Sequence, residues 1–184
     1  MNITLGSFAE PSSLECRNPE DSAYHNVMRS TARCILVPIH LALAACALSD
    51  GGIVEANKAL LRSAYEAVSR RDPGPLTEAL SEDVVWTVIG TTRMSGTARG
   101  KKEVAEKIFV PLRASLSDAP LRFEIDRMIG EGEWVVMLAR GYATTREGKP
   151  YNNTYAIVAR FENGKIVEMT DYIDTALINE VLNP

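Results

Sequence analysis

Three consecutive segments near the end of the chain, Trp134 to Thr145, Tyr151 to Phe161 and Lys165 to Ile173, read as strands joined by short connections. β-branched and aromatic residues fill them, and Asn163-Gly164 supplies the dipeptide of a tight hairpin turn before the last strand. Strands joined this closely lie antiparallel, because a parallel pair needs a crossover of a dozen residues or more. A meander of this kind has one face to cover, so the rest of the chain must supply the cover.

The preceding residues fit that role. Ile53 to Arg71 carries Ile53, Ala56, Leu60, Leu61, Ala64, Tyr65 and Val68 near helical spacing, and Asp72-Pro73-Gly74-Pro75 breaks it. Leu76 to Leu80 reads as a short second helix and Val84 to Ile89 as a strand. Residues 90–100 read as a loop. Lys101 to Leu116 reads as a third helix bent at Pro111, and Leu121 to Ile129 as a strand by its alternation. Thr175 to Leu182 reads as a short C-terminal helix with Asp174 as its N-cap. The order is α+β: a cone-shaped, curved antiparallel sheet wrapped on three helices, its mouth a natural ligand site.

Composition narrows the chemistry. The 184 residues carry a net charge of −4 and no basic block, which argues against nucleic acid as a partner. All three cysteines and both histidines lie within the first 46 residues. From Ile53 onward no disulfide, Cys/His zinc set, Ser-His triad or cysteine nucleophile can be built, and acid/base work falls to Asp, Glu, Tyr, Lys or Arg. No phosphate-binding glycine loop is present, and no metal or cofactor is implied.

The chain divides at about residue 52. Residues 1–52 form a polar leader, a segment at 28–46 with the pattern of a lipoprotein-type signal, and a tether. That segment has a basic start at Met28-Arg29, an apolar run from Cys34 and a small-residue exit, Leu43-Ala44-Ala45-Cys46, with Cys46 as the residue to be lipidated. The alternative is an apolar extension without a sorting role. A signal would place the protein in the cell envelope, lipid-anchored or secreted; without one it is cytoplasmic. Any membrane attachment would be through that lipid anchor. Residues 53–184 form the domain.

Several pieces of that domain occur in a telling order: Tyr65-Glu66-Ala67 leading to Asp72, Leu80-Ser81-Glu82-Asp83-Val84-Val85-Trp86, Ser95-Gly96-Thr97 with Arg99-Gly100, Gly148 to Tyr155, and Gly164 to Glu168 with Asp171-Tyr172-Ile173-Asp174. Together they resemble the SnoaL-like group of the nuclear transport factor 2-like superfamily, which also holds ketosteroid isomerases and limonene-epoxide hydrolases. The resemblance implies the cone fold, a small hydrophobic ligand and a homodimer through the free sheet face, which would carry Arg160 and Glu168. It does not carry over the known reactions. The isomerases' basic aspartate falls near Val88 or Ile89, and their tyrosine next to Tyr65. Asp171 matches one hydrolase aspartate, but the Arg-x-Asp pair falls on Leu138-x-Arg140.

Strand alternation supplies candidate lining residues without the resemblance. Trp134, Val136, Leu138, Arg140 and Tyr142 share one face. Tyr151, Asn153, Tyr155, Ile157, Ala159 and Phe161 share another, and so do Val167, Met169, Asp171 and Ile173. Asp171, Tyr155 and Asn153 are the candidate catalytic groups. Tyr65, Trp86, Leu138, Arg140, Tyr142, Met169 and Ile173 are candidate ligand contacts, and Met94 could cover the mouth. Asp171 is either an acid/base of isomerase, cyclase or hydratase type, or a structural partner of Arg140. The second reading makes the domain a non-catalytic binding or dimerisation module.

Overall fold

The computed structural model describes residues 50–182; the segment at 28–46 and Cys46 lie outside them. Helix α1 spans Asp50–Ser69 and buries Val54, Asn57, Leu61, Ala64 and Tyr65, one stripe at the spacing the sequence suggested. It ends in a Schellman turn: Asp72 N–H bonds to Ala67 O and Arg71 N–H to Val68 O. A short α2, Gly74–Ala79, follows.

Strand β1 begins at once, at Leu80, and runs to Val88. The expected loop holds a four-residue strand β2, Gly96–Arg99, antiparallel to β1. The third helix is interrupted where Pro111 predicts. Helix α3, Gly100–Val104, passes into a π-turn, Ala105–Phe109, and then into α4, Val110–Ser115. Proline cannot donate to the ladder, and the wider π-turn that ends two residues upstream takes up the misfit, with Val110 N–H reaching Ala105 O.

The long strands are β3, Arg122–Glu131; β4, Trp134–Thr144; β5, Pro150–Glu162; and β6, Lys165–Ile173. The sheet order is β2-β1-β6-β5-β4-β3, and the edges β2 and β3 do not pair, so the sheet is open. Every ladder is antiparallel except β1·β6, which is parallel. Register shifts between Ile125 and Arg127 and between Arg160 and Phe161 interrupt the ladders, the kind of irregularity that bends a strand. Asn163 and Gly164 both take positive φ, as a primed hairpin turn requires. Helix α5, Thr175–Val181, starts at Asp174, whose carboxylate accepts from the Ala176 and Leu177 amides.

One core fills the space between helices and sheet, with Leu61, Val84, Met137, Ile157, Phe161, Ile166 and Met169 almost fully buried. A second cluster, Met94, Leu116, Tyr151, Ile178 and Leu182, packs the loop before β2 against α5.

The face of β4 differs from expectation. Val135, Met137, Ala139 and Gly141 face inward, so Trp134, Leu138, Arg140 and Tyr142 belong to the outer face. Both faces of this strand are apolar at one end, and a one-residue shift exchanges them. On β6 the inward residues are Ile166, Met169, Asp171 and Ile173; Val167 is displaced from that set.

Candidate functional site

An apolar cavity of about 120 Å³ lies between the concave sheet face and the helices. That is about ten times the room one water requires. Its walls include Tyr65 and Val68 from α1, Trp86 and Val88 from β1, and Phe109 and Leu112 from the bent helix. Tyr151, Tyr155, Asp171 and Ile173 come from β5 and β6, and Met94, Ile178 and Leu182 close the far end. Among the described residues the lining contains no Lys or Arg.

Aromatic rings hold each other in place around it. Phe123 stands edge-on to Tyr65 at 4.9 Å and to Tyr155 at 5.2 Å, and Trp86 edge-on to Phe109 at 5.4 Å. Such pairs add order as well as buried area.

Asp171 is the charged group of the lining. It sits on β6 opposite Val88 of β1 in the parallel ladder, which points its carboxyl inward beside Trp86. Trp86 Nε1 donates to Oδ2 at 3.0 Å, while Oδ1 is buried without a hydrogen-bond partner. Burial pushes the carboxyl up to about 7, against the opposing pull of the Trp86 N–H. Among the described residues no cation offsets the burial. Arg140, the partner considered from sequence, is on the outer face, where its guanidinium grips Asp126 at 2.7 and 3.1 Å and touches Tyr142 at 3.2 Å. The reading of Asp171 as a structural partner of Arg140 therefore fails.

Three tyrosine hydroxyls feel the Asp171 charge. Burial, more than that charge, raises all three. The Tyr65 hydroxyl meets the Met169 sulfur at 3.7 Å. Tyr155 donates to Tyr151 at 3.1 Å, and Asn153 Nδ2 donates to the same oxygen at 3.2 Å. Tyr151 thus accepts twice, which fills both lone pairs and leaves its own proton to be donated elsewhere. Asn153 also accepts from the Asp174 amide at 2.9 Å, tying β5 to the start of α5.

Of the residues chosen from sequence, Asp171, Tyr155, Tyr65, Trp86, Ile173 and Met94 come together in the cavity lining. Asn153 and Met169 stand behind it, one orienting Tyr151 and the other contacting Tyr65. Leu138, Arg140 and Tyr142 are elsewhere. Tyr151 was on the correct face but not singled out; its two-residue spacing from Asn153 and four-residue spacing from Tyr155 was the available signal.

The family model for the SnoaL-like domain matches residues 61–169. An NTF2-like protein of unknown function from Burkholderia pseudomallei is 30% identical, with 70% of this chain and 98% of that one covered and a TM-score of 0.63. An NTF2-like protein from Burkholderia thailandensis is 26% identical over 70% of this chain and 98% of its own, with a TM-score of 0.62. TerC, co-crystallised with polyporic acid, shares the fold at 20% identity, 70% and 99% coverage and a TM-score of 0.62. No curated protein matches the chain.

Proposed function

Because the chain belongs to the SnoaL-like domain family, with the cavity that its fold encloses, we propose that it binds a small, hydrophobic, ring-sized molecule and moves a proton on it through Asp171. One observation carries this reading. Among the described residues, Asp171 is a buried carboxyl in an apolar cavity whose lining holds no cation, and one of its oxygens has no partner. A fold gains nothing from such a group, which costs stability unless it is put to use.

The division of labour follows from the hydrogen bonds. Trp86 occupies Oδ2, so Oδ1 is the oxygen that gives or takes the proton. With its pKa raised to about 7, the carboxyl exists in both states near neutrality, as a general acid or base requires. Tyr151, its oxygen already accepting from Asn153 and Tyr155, offers its O–H to an oxygen of the ligand. Enolisation, isomerisation, cyclisation and hydration of a carbonyl compound all use this pair. That TerC was co-crystallised with polyporic acid is in keeping with a ligand in this fold.

The test is solvent exchange into a cyclic ketone. With 2-tetralone in deuterium oxide, NMR should show protein-catalysed loss of the α-proton signal, rising through pH 7 as Asp171 ionises. Asp171→Asn should reduce the rate by about 100-fold or more. Binding without exchange would sink the acid/base reading and leave the domain a binding module.

A further inference from the structure

Only one layer of side chains separates the cavity from a second space outside it. Val68, Phe109, Leu112 and Leu121 line both. The outer groove, about 520 Å³, lies between the end of α1 and the connection from α4 to β3, with Pro73, Ala119 and Pro120 among its walls. The two spaces differ in charge. Among the described residues, the inner one has a carboxyl, Asp171, and no Lys or Arg; the outer one has Arg71 and Arg113 and no Asp or Glu.

Arg113 is already engaged, with the Ser117 carbonyl at 2.6 Å and Asp118 at 3.0 Å. Arg71 makes no ion pair or side-chain hydrogen bond among the described residues. Its backbone is the more informative feature. Arg71 occupies the left-handed position of the Schellman turn that ends α1, with φ of 67°. Glycine is the usual residue there, and a side chain at that position is strained. Arg71 thus lines the groove from a backbone position that glycine usually takes.

Resting on the reading of the cavity as a site for a small hydrophobic ligand, we infer that cavity and groove form one site for an amphiphilic carboxylate, its apolar ring or chain inside and its carboxylate on Arg71. Charge sets the direction of entry. Asp171 opposes an anion in the inner space, and Arg71 attracts one in the outer. The partition is also the weakest part of the helix. Phe109 is the last residue of the π-turn, and Pro111 removes a donor just beyond it. Displacing Phe109 opens the way between the two spaces and moves the ring that packs against Trp86.

Calorimetric titration with 8-phenyloctanoate and its uncharged counterpart 8-phenyloctan-1-ol, at low ionic strength, tests this. The acid should bind wild type about five times more tightly than the alcohol, the scale of one partly exposed ion pair. Arg71→Gly should erase that preference while leaving alcohol binding in place, and Arg71→Lys should keep it. The glycine variant should also melt a few degrees higher than wild type, since glycine takes the left-handed conformation without strain. Equal binding of acid and alcohol by wild type, or a preference that survives Arg71→Gly, overturns the inference and leaves the cavity reading standing. If neither compound binds wild type, both readings fall.

Discussion

A carboxyl whose folded pKa lies near 7 leaves a signature in stability. Between about pH 4 and pH 7 the folded chain holds a proton on Asp171 that the unfolded chain has released. The Asp171 contribution to stability is therefore full below about pH 4 and is lost as pH rises through 7. About three pH units at roughly 1.4 kcal/mol each make this a loss on the order of 4 kcal/mol. Glu103, Glu124 and Asp126 act in the opposite direction. Their lowered pKa values, set first by hydrogen bonds from Lys107, Arg122 and Arg140, withdraw stability only as pH falls below the ordinary carboxylate range. The two windows do not overlap at neutrality. Asp171→Asn should flatten the urea-denaturation profile from pH 4 to pH 7 and be more stable than wild type at pH 8. A variant less stable than wild type at pH 8 would contradict the buried-acid account. Asp171 was legible in sequence because a charged residue between Met169 and Ile173 breaks an otherwise apolar face. The partner assigned to it was not, because Arg140 belongs to the other side of its strand.

At the scale of elements, two glycines set how closely parts can approach. A Cβ on Gly130 would lie 2.6 Å from Val54 Cγ1, and one on Gly141 would lie 2.7 Å from Tyr155 Cε2. The first holds α1 against β3, and the second lets the Tyr155 ring lie over β4. Gly130→Ala and Gly141→Ala should each cost about 1–3 kcal/mol in thermal or urea unfolding. Only the second should disturb ligand binding, because only it displaces a residue of the cavity lining. Gly141 also explains why the face of β4 was hard to read. Its inner residues shrink from Val135 and Met137 to Ala139 and Gly141 as the Tyr155 ring takes the space, so the larger apolar residues Trp134 and Leu138 stand outside. Hydrophobicity alone favoured the wrong face; the charge of Arg140 was the better guide. The interruption of the third helix near Pro111 was legible because proline breaks a helix's hydrogen-bond ladder. Strand β2 was not, being four residues long and bounded by Gly96 and Gly100.

For the molecule as a whole, the outer sheet face is the surface to explain. Ile129, Trp134 and Tyr172 are exposed on it, and Arg160 lies among Glu133, Glu162, Glu168 and the Trp134 ring. An apolar and charged mixture of this kind suits a second copy of the chain. Sedimentation at micromolar concentration should give a dimer, and Tyr172→Glu should shift it toward monomer. A wild-type monomer would remove the expectation. The order of elements, the meander and the helical cover were legible because each rests on short-range patterns of apolar spacing and turns. The parallel β1·β6 pairing was not, because it joins segments distant in sequence.

That pairing has a consequence for how the protein is made. Of the six strands described, β6 is the last to leave the ribosome, yet it inserts between β5 and β1. The bond from Trp86 to Asp171 joins residues 85 positions apart. While synthesis proceeds, β1 waits without its inner neighbour, and the bowl formed by β3, β4 and β5 has no acid in it. Such long-range closure is slow relative to local hairpin formation. The β3–β5 meander can therefore form before the Trp86–Asp171 bond does, and the proposed acid site is assembled only as the last of the six strands docks.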